Sequence, residues 1–152
     1  MSLRRGLWQH EHGFTMTEML VTIVIMGIVL AIATSTWFRV VESRRVDSAT
    51  NQLAADLRLA HSKATNRLAE QTVTLTAGNS EYTATGLGTR DLDDDPDEDV
   101  VSVAAPSKIV FEPNGEAKVT DANPITVRAT NNTDNNHTIE INPTTSEIKV
   151  VP

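Results

Sequence analysis

Residues 13–33 read GFTMTEMLVTIVIMGIVLAIA, and this stretch decides how the chain is built. From Met19 to Ala33 the one polar side chain is Thr22, and the next charge after Glu18 is Arg39. A helix that is apolar on all sides packs against lipid or other helices. The 20 residues from Phe14 to Ala33 rise roughly 30 Å as a helix, the thickness of a bilayer's hydrocarbon core. We therefore predict a transmembrane helix near the N-terminus.

The residues that open this stretch follow a specific order: Gly13, then Phe14, then Glu18 at the fifth place after the glycine. This order resembles the class III signal of type IV prepilins and type II secretion pseudopilins. The resemblance implies that prepilin peptidase cuts between Gly13 and Phe14 and methylates the new N-terminus at Phe14. Residues 1–13 are then a leader peptide, and residues 14–37 are the transmembrane and assembly helix. Where many pilins carry a proline late in this helix, the chain has Ser35.

Glu18 is a carboxylate at the edge of an apolar helix, where a charge is costly and usually has a functional partner. The free amine of Phe14 in a neighbouring subunit is such a partner, because it is a cation at neutral pH. A pair of this kind fixes the axial register of two helices. The alternative is a glutamate that extends to the membrane surface and has no role in assembly.

Residues 38–69 change from an all-round apolar pattern to a one-sided one. Apolar residues recur in steps of three and four at Val46, Ala49, Leu53, Leu57, Ala60, Ala64 and Leu68. The residues between them, including Asp56 and His61, are mostly polar, which predicts an amphipathic helix with a polar outer face. We expect its apolar stripe to pack on a sheet, and we interpret His61 as a surface residue.

Residues 70–152 follow a period of two and are rich in β-branched residues, with turn-forming residues between short segments. Strands are predicted at 72–76, 81–85, 100–104, 108–112, 125–129, 138–141 and 147–151. The fold class is therefore α+β, with a long N-terminal helix packed on a C-terminal antiparallel β-sheet domain. The segment NQLAADLRLAHSKAT, residues 51–65, and the closing β-hairpin resemble the GspH/FimT group of minor pilins and pseudopilins, which implies a pilin-like arrangement.

The run DLDDDPDED, residues 91–99, is the most acidic part of the chain. Clustered carboxylates suit Ca²⁺, and Asp93, Asp95, Asp97 and Asp99 are the candidate ligands. The run lacks the glycine and glutamate spacing of an EF-hand loop. We therefore expect a solvated acidic loop, with a calcium site as the alternative, and no other cofactor.

Charge and composition limit the possible functions. From Glu70 to Pro152 there are fifteen acidic and five basic residues, so we expect no binding of nucleic acid by this domain. The chain has no cysteine, and it offers no nucleophile with a base and an orienting residue. We predict that it is not an enzyme.

The most consistent interpretation is a structural minor pilin or pseudopilin subunit. The resemblance implies a single-pass protein of the inner membrane with a cytoplasmic N-terminus, later assembled into a type IV pilus or a type II secretion pseudopilus. Its partners are then other pilin-type subunits, prepilin peptidase, the assembly machinery and, before assembly, membrane lipid. Two alternatives stay open: a pilus-tip module that binds DNA or a surface, and a secreted domain cut after Ala33, where Ala31-Ile32-Ala33 fits a signal peptidase site.

Overall fold

The computed structural model describes residues 13–93 and 101–151, with only the backbone described at residues 35 and 36. The described chain forms two compact units, the first ending at Phe38 and the second beginning at Arg39. One helix, α1, spans Met16–Arg67 and continues without a break through Ser35. Antiparallel sheets follow it, so the predicted α+β class is confirmed.

The apolar stripe on the second half of α1 is the helical part of the core. Six of its seven predicted positions are buried: Val46, Ala49, Leu53, Leu57, Ala60 and Ala64. The seventh prediction is wrong, because α1 ends at Arg67 and Leu68 is 76 % exposed. Asp56 was also predicted wrongly, since it is buried rather than part of the outer face.

Nine strands form in the described part of the chain. They are β1 Gln71–Leu75, β2 Glu81–Ala84, β3 Gly88–Asp91, β4 Val101–Val103, β5 Ser107–Phe111, β6 Ala117–Asp121, β7 Ile125–Ala129, β8 Asn136–Ile141 and β9 Ile148–Val151. Seven of these coincide with the predicted strands to within about two residues. The two that were missed, β3 and β6, lie at sheet edges and bury little, so their sequences carry no clear alternation.

The strands divide into two sheets rather than the one that was expected. The first has the order β3-β2-β1-β5-β6 and the second the order β4-β7-β8-β9, with all neighbours antiparallel. Both sheets bury one face together with the helical stripe. The largest sheet side chains in this core are Leu75, Tyr82, Ile109, Phe111, Ile125, Ile139 and Ile141.

Hydrogen bonds between turns and edge strands join the two sheets. Val103 of β4 accepts from Gly78 at 2.8 Å and donates to the carbonyl of Asn79 at 3.1 Å, both in the β1–β2 turn. The Ser146 hydroxyl, in the β8–β9 turn, donates to the carbonyl of Gly115 in the β5–β6 turn at 2.6 Å. The sheets are therefore connected by polar contacts as well as by the shared core.

Side chains of α1 also reach the outermost strand of each sheet. Gln52 Nε2 donates to the Asp91 carbonyl of β3 at 2.9 Å, and Arg58 Nη2 donates to the Ile148 carbonyl of β9 at 3.0 Å. An unpaired carbonyl on an edge strand is a site for adding a further strand. The helix therefore satisfies one backbone acceptor on each of these two edges.

Asp56 of α1 is the buried polar contact between the helix and the first sheet. Its Oδ2 accepts a short hydrogen bond from the Tyr82 hydroxyl and lies 3.2 Å from Arg90 Nε. A buried carboxylate needs both charge compensation and hydrogen-bond donors, and these two side chains supply them.

His61 is half-buried rather than a surface residue. Its ring lies at 59° to that of Phe111 in β5, with 5.6 Å between the ring centroids. The imidazole therefore contributes packing area between α1 and the first sheet.

We predict that Tyr82→Phe lowers the free energy of unfolding by roughly 1–3 kcal/mol, because the buried Asp56 carboxylate loses a donor. Denaturant unfolding of a fragment that begins at Arg39 measures this, since the core lies beyond that residue. Glu81→Gln, exposed on the same strand, is the matched control and should have no effect. An unchanged unfolding midpoint for Tyr82→Phe would contradict the prediction.

The same contact makes stability depend on pH in the alkaline range. Burial and the neighbouring Asp56 raise the pKa of Tyr82 well above its ordinary value of about 10. The stability gained from the protonated phenol is therefore present below about pH 10 and is lost as the pH rises towards the folded-state pKa. The free energy of unfolding of Tyr82→Phe should not show this fall at alkaline pH. In the wild type, tyrosinate absorbance measures the ionisation of Tyr82 directly, because it is the one tyrosine in the chain.

The C-terminus of α1 gives a second prediction. Ala69 N–H donates to the Ala64 carbonyl at 3.2 Å, and Leu68 between them has a φ of 50°, as in a Schellman motif. A side chain in this left-handed conformation costs about 1 kcal/mol, which glycine avoids. Leu68→Gly should therefore raise the free energy of unfolding by about 1 kcal/mol. Leu68→Ala keeps the Cβ and should give no such gain, so equal stability of the two variants would exclude this explanation.

Candidate assembly site

Thr15 caps the N-terminus of α1, and the sequence Thr15-Met16-Thr17-Glu18 has the spacing of a capping box. Thr15 Oγ1 accepts from the Glu18 amide at 3.2 Å, and the Thr15 carbonyl accepts from the Met19 amide at 3.1 Å. Glu18 therefore lies in the first turn, where the helix dipole favours a negative charge. The Thr-x-x-Glu spacing is visible in the sequence and indicates where the helix begins, but the sequence analysis did not use it.

Gly13 and Phe14 lie just before the helix, in a segment without regular secondary structure. Phe14 is 73 % exposed, and nothing lies within 4 Å of where a Cβ on Gly13 would be. A peptidase needs an accessible bond, and both Gly13 and Phe14 are exposed.

The apolar half of α1 exposes its side chains in the part of the chain that the structure describes. Every large apolar side chain from Met19 to Ile32 is exposed. Two hydroxyls in this stretch are satisfied locally, since Thr22 donates to the Met19 carbonyl at 2.8 Å and Thr34 to the Ala31 carbonyl at 3.0 Å. Among the described residues, α1 is the helix long and apolar enough to cross a membrane.

Asp93 is the one candidate calcium ligand that the described residues include. It is buried, at 8 % exposure, and its Oδ2 accepts from the Val101 amide at 3.2 Å. Its Oδ1 lies 3.9 Å from Arg45 Nη1 of α1. The carboxylate therefore connects the two ends of the acidic run to each other and to the helix.

The other candidate ligands, Asp95, Asp97 and Asp99, lie outside the described residues. Within residues 13–93 and 101–151, no group of three or more histidine or acidic side chains is arranged to hold a metal ion. Calcium binding by the acidic run stays a prediction.

Two protein families match the chain. The prokaryotic N-terminal methylation motif matches residues 8–34, which include Gly13, Phe14 and Glu18. The family of the type II transport protein GspH matches residues 49–145, which include the C-terminal part of α1 and most of the strands. No curated protein and no solved structure gives a significant match.

An apolar N-terminal helix with a methylation motif, followed by antiparallel sheets, defines the type IV pilin and pseudopilin class. Within this class the chain belongs to the GspH family of type II transport proteins, because that match covers more than half of it. The predicted family is thus confirmed. Its members are structural components of type II secretion and associate with other pilin-type subunits and the secretion machinery. The apolar helix and the motif indicate anchoring in the inner membrane.

We predict that Asp93→Asn lowers the free energy of unfolding by roughly 1–3 kcal/mol in the presence of a chelator, because Val101 and Arg45 lose a charged partner. Asp134→Asn, on an exposed turn, is the control and should have no effect.

Calcium titration of the wild-type chain is the separate test of the calcium site. A melting temperature that does not change at millimolar calcium would remove that prediction.

Proposed function

We propose that this chain is a pseudopilin subunit that is cut between Gly13 and Phe14, methylated at Phe14, and assembled through α1 into a type II secretion pseudopilus. The observation that carries the proposal is an uncovered apolar helix with a single carboxylate at its start. Such a surface is stable in lipid or among other helices. Assembly therefore replaces lipid contacts of the apolar half with contacts to neighbouring helices.

Glu18 gives the assembly its axial register in this proposal. Removal of the leader leaves a cationic amine on Phe14, four residues before Glu18 along the chain. Within one subunit, the Thr15 cap holds the backbone of Glu18 in the first turn of α1. Between subunits, a helix that slides past its neighbour gains the ion pair at one axial position, because the apolar remainder offers no competing charge.

The β-domain remains outside the membrane in this scheme. Its core and its joined sheets lie entirely in the unit that begins at Arg39, so it needs no contribution from the apolar half. A subunit can therefore be held in the membrane, and later in the pseudopilus, with its β-domain already folded.

Glu18→Gln separates the role of Glu18 at the start of the helix from the role of its charge in an ion pair between subunits. Glutamine at the third helical position still completes a capping box but carries no charge. We expect Glu18→Gln to insert into the membrane normally and to assemble as poorly as Glu18→Ala, measured as the pseudopilus fraction relative to the membrane fraction. Thr15→Ala, which removes the cap and keeps the charge, is the control and should assemble. Normal assembly of Glu18→Gln would exclude the ion pair.

The processing step is tested by the N-terminus of the protein purified from its native membrane. Intact mass and terminal sequencing should give a chain that begins at N-methylated Phe14. A start at Thr34 instead would mean cleavage by signal peptidase after Ala33, and the assembly mechanism would fail with it.

A further inference from the structure

The β5–β6 turn contains Asn114-Gly115, the one Asn-Gly pair in the sequence. An asparagine followed by glycine is chemically labile, because no side chain on the next residue hinders attack of its backbone nitrogen on the asparagine amide. Asn123 and Asn142 precede prolines, whose nitrogen carries no proton, so they cannot react in this way. Asn114 is therefore the asparagine with the least hindered neighbour, and Asn123 and Asn142 serve as inert internal references.

The turn holds Asn114 at its third position. Gly115 N–H donates to the Glu112 carbonyl at 3.0 Å, and the Glu112 N–H donates to the Glu116 carbonyl at 2.9 Å. Gly115 has a φ of 91°, as in a three-residue hairpin loop that ends in a bulge. The backbone geometry therefore depends on the glycine that makes Asn114 labile.

The side chain of Asn114 lies between two carboxylates. Its Nδ2 donates to Glu112 Oε2 at 3.2 Å and to Glu116 Oε2 at 3.0 Å, and its Oδ1 accepts from the Glu116 amide at 2.9 Å. Lys118 forms an ion pair with the other oxygen of Glu112. The amide is thus the donor that holds two like charges near each other.

We propose that Asn114 is a site of spontaneous deamidation, and that the product opens the β5–β6 turn. The Gly115 nitrogen loses its proton and attacks Cγ of Asn114. The new N–Cγ bond closes a five-membered imide, and Nδ2 leaves as ammonia with that proton. Water then opens the imide at either carbonyl, which gives aspartate or isoaspartate at position 114.

Deamidation replaces the amide that donates to Glu112 and Glu116 with a carboxylate that repels them. A carboxylate at position 114 accepts hydrogen bonds only, so it meets Glu112 and Glu116 without a donor between them. Three like charges then face one another with Lys118 as the neighbouring cation, already paired with Glu112.

Opening this turn affects the junction between the sheets. The Gly115 carbonyl accepts from the Ser146 hydroxyl at 2.6 Å, and the Ala117 amide, two residues further on, donates to the Pro143 carbonyl at 3.1 Å. Both partners belong to the β8–β9 connection of the second sheet. A change at Asn114 therefore weakens contacts of the second sheet as well as the local hairpin.

The folded turn also slows the reaction. The Gly115 N–H is held by the Glu112 carbonyl, so its nitrogen becomes available when the turn transiently opens. Asn114 therefore reacts slowly in the folded chain, and the deamidated fraction increases with the age of the protein.

Ageing of the detergent-solubilised full chain at mildly alkaline pH tests the modification. Peptide mapping by mass spectrometry should find aspartate and isoaspartate at position 114 increasing with time, while Asn123 and Asn142 stay intact. Failure of position 114 to change while another asparagine of the same sample deamidates would overturn the proposal.

Variants of the same chain test the consequence. We expect Asn114→Asp to lower the melting temperature by about 2–6 °C, and Glu116→Gln in that background to restore much of the loss by removing one of the three charges. Asn114→Gln keeps an amide that cyclises slowly, so its melting temperature should stay constant during ageing while that of the wild type falls. A melting temperature of Asn114→Asp equal to that of the wild type would overturn the proposed opening of the turn.

Discussion

The fold of the β-domain depends on the contact between the apolar stripe of α1 and the inner faces of two sheets. The stripe consists of alanine, leucine and valine, and its side chains are buried in one core with those of both sheets. Each sheet contributes buried apolar side chains to this core, and the helix stripe covers part of that apolar surface. The helix also supplies Asp56, Gln52 and Arg58, whose polar contacts place it relative to particular strands.

Much of this organisation is readable from periodicity. The all-round apolar run, the stripe that begins at Val46 and the alternation in β8 each reflect a single dominant environment, so pattern and structure agree. Edge strands β3 and β6 bury few side chains, and the division into two sheets depends on pairing between strands far apart in the sequence, such as β1 with β5 and β4 with β7. Contacts between residues far apart in the sequence leave no local pattern, and this is why these features were not predicted.

The candidate site shows the same limit. Gly13, Phe14 and Glu18 are recognised from their order, because they lie close together in one continuous motif. Asp56 looked like an outer-face residue, since its position in the helix is at the margin of the stripe and its partners Tyr82 and Arg90 are more than twenty residues away. A polar residue at such a margin becomes buried only when another element supplies its hydrogen bonds.

The helix donors on β3 and β9 have a consequence for crowding. Exposed strand edges at high protein concentration tend to join into unintended sheets. Gln52 and Arg58 occupy one carbonyl on each of two outer strands, so these edges are less available for such pairing. In the proposed pseudopilus, subunits therefore contact one another through the apolar half of α1, and the edges of the β-domain contribute less to association.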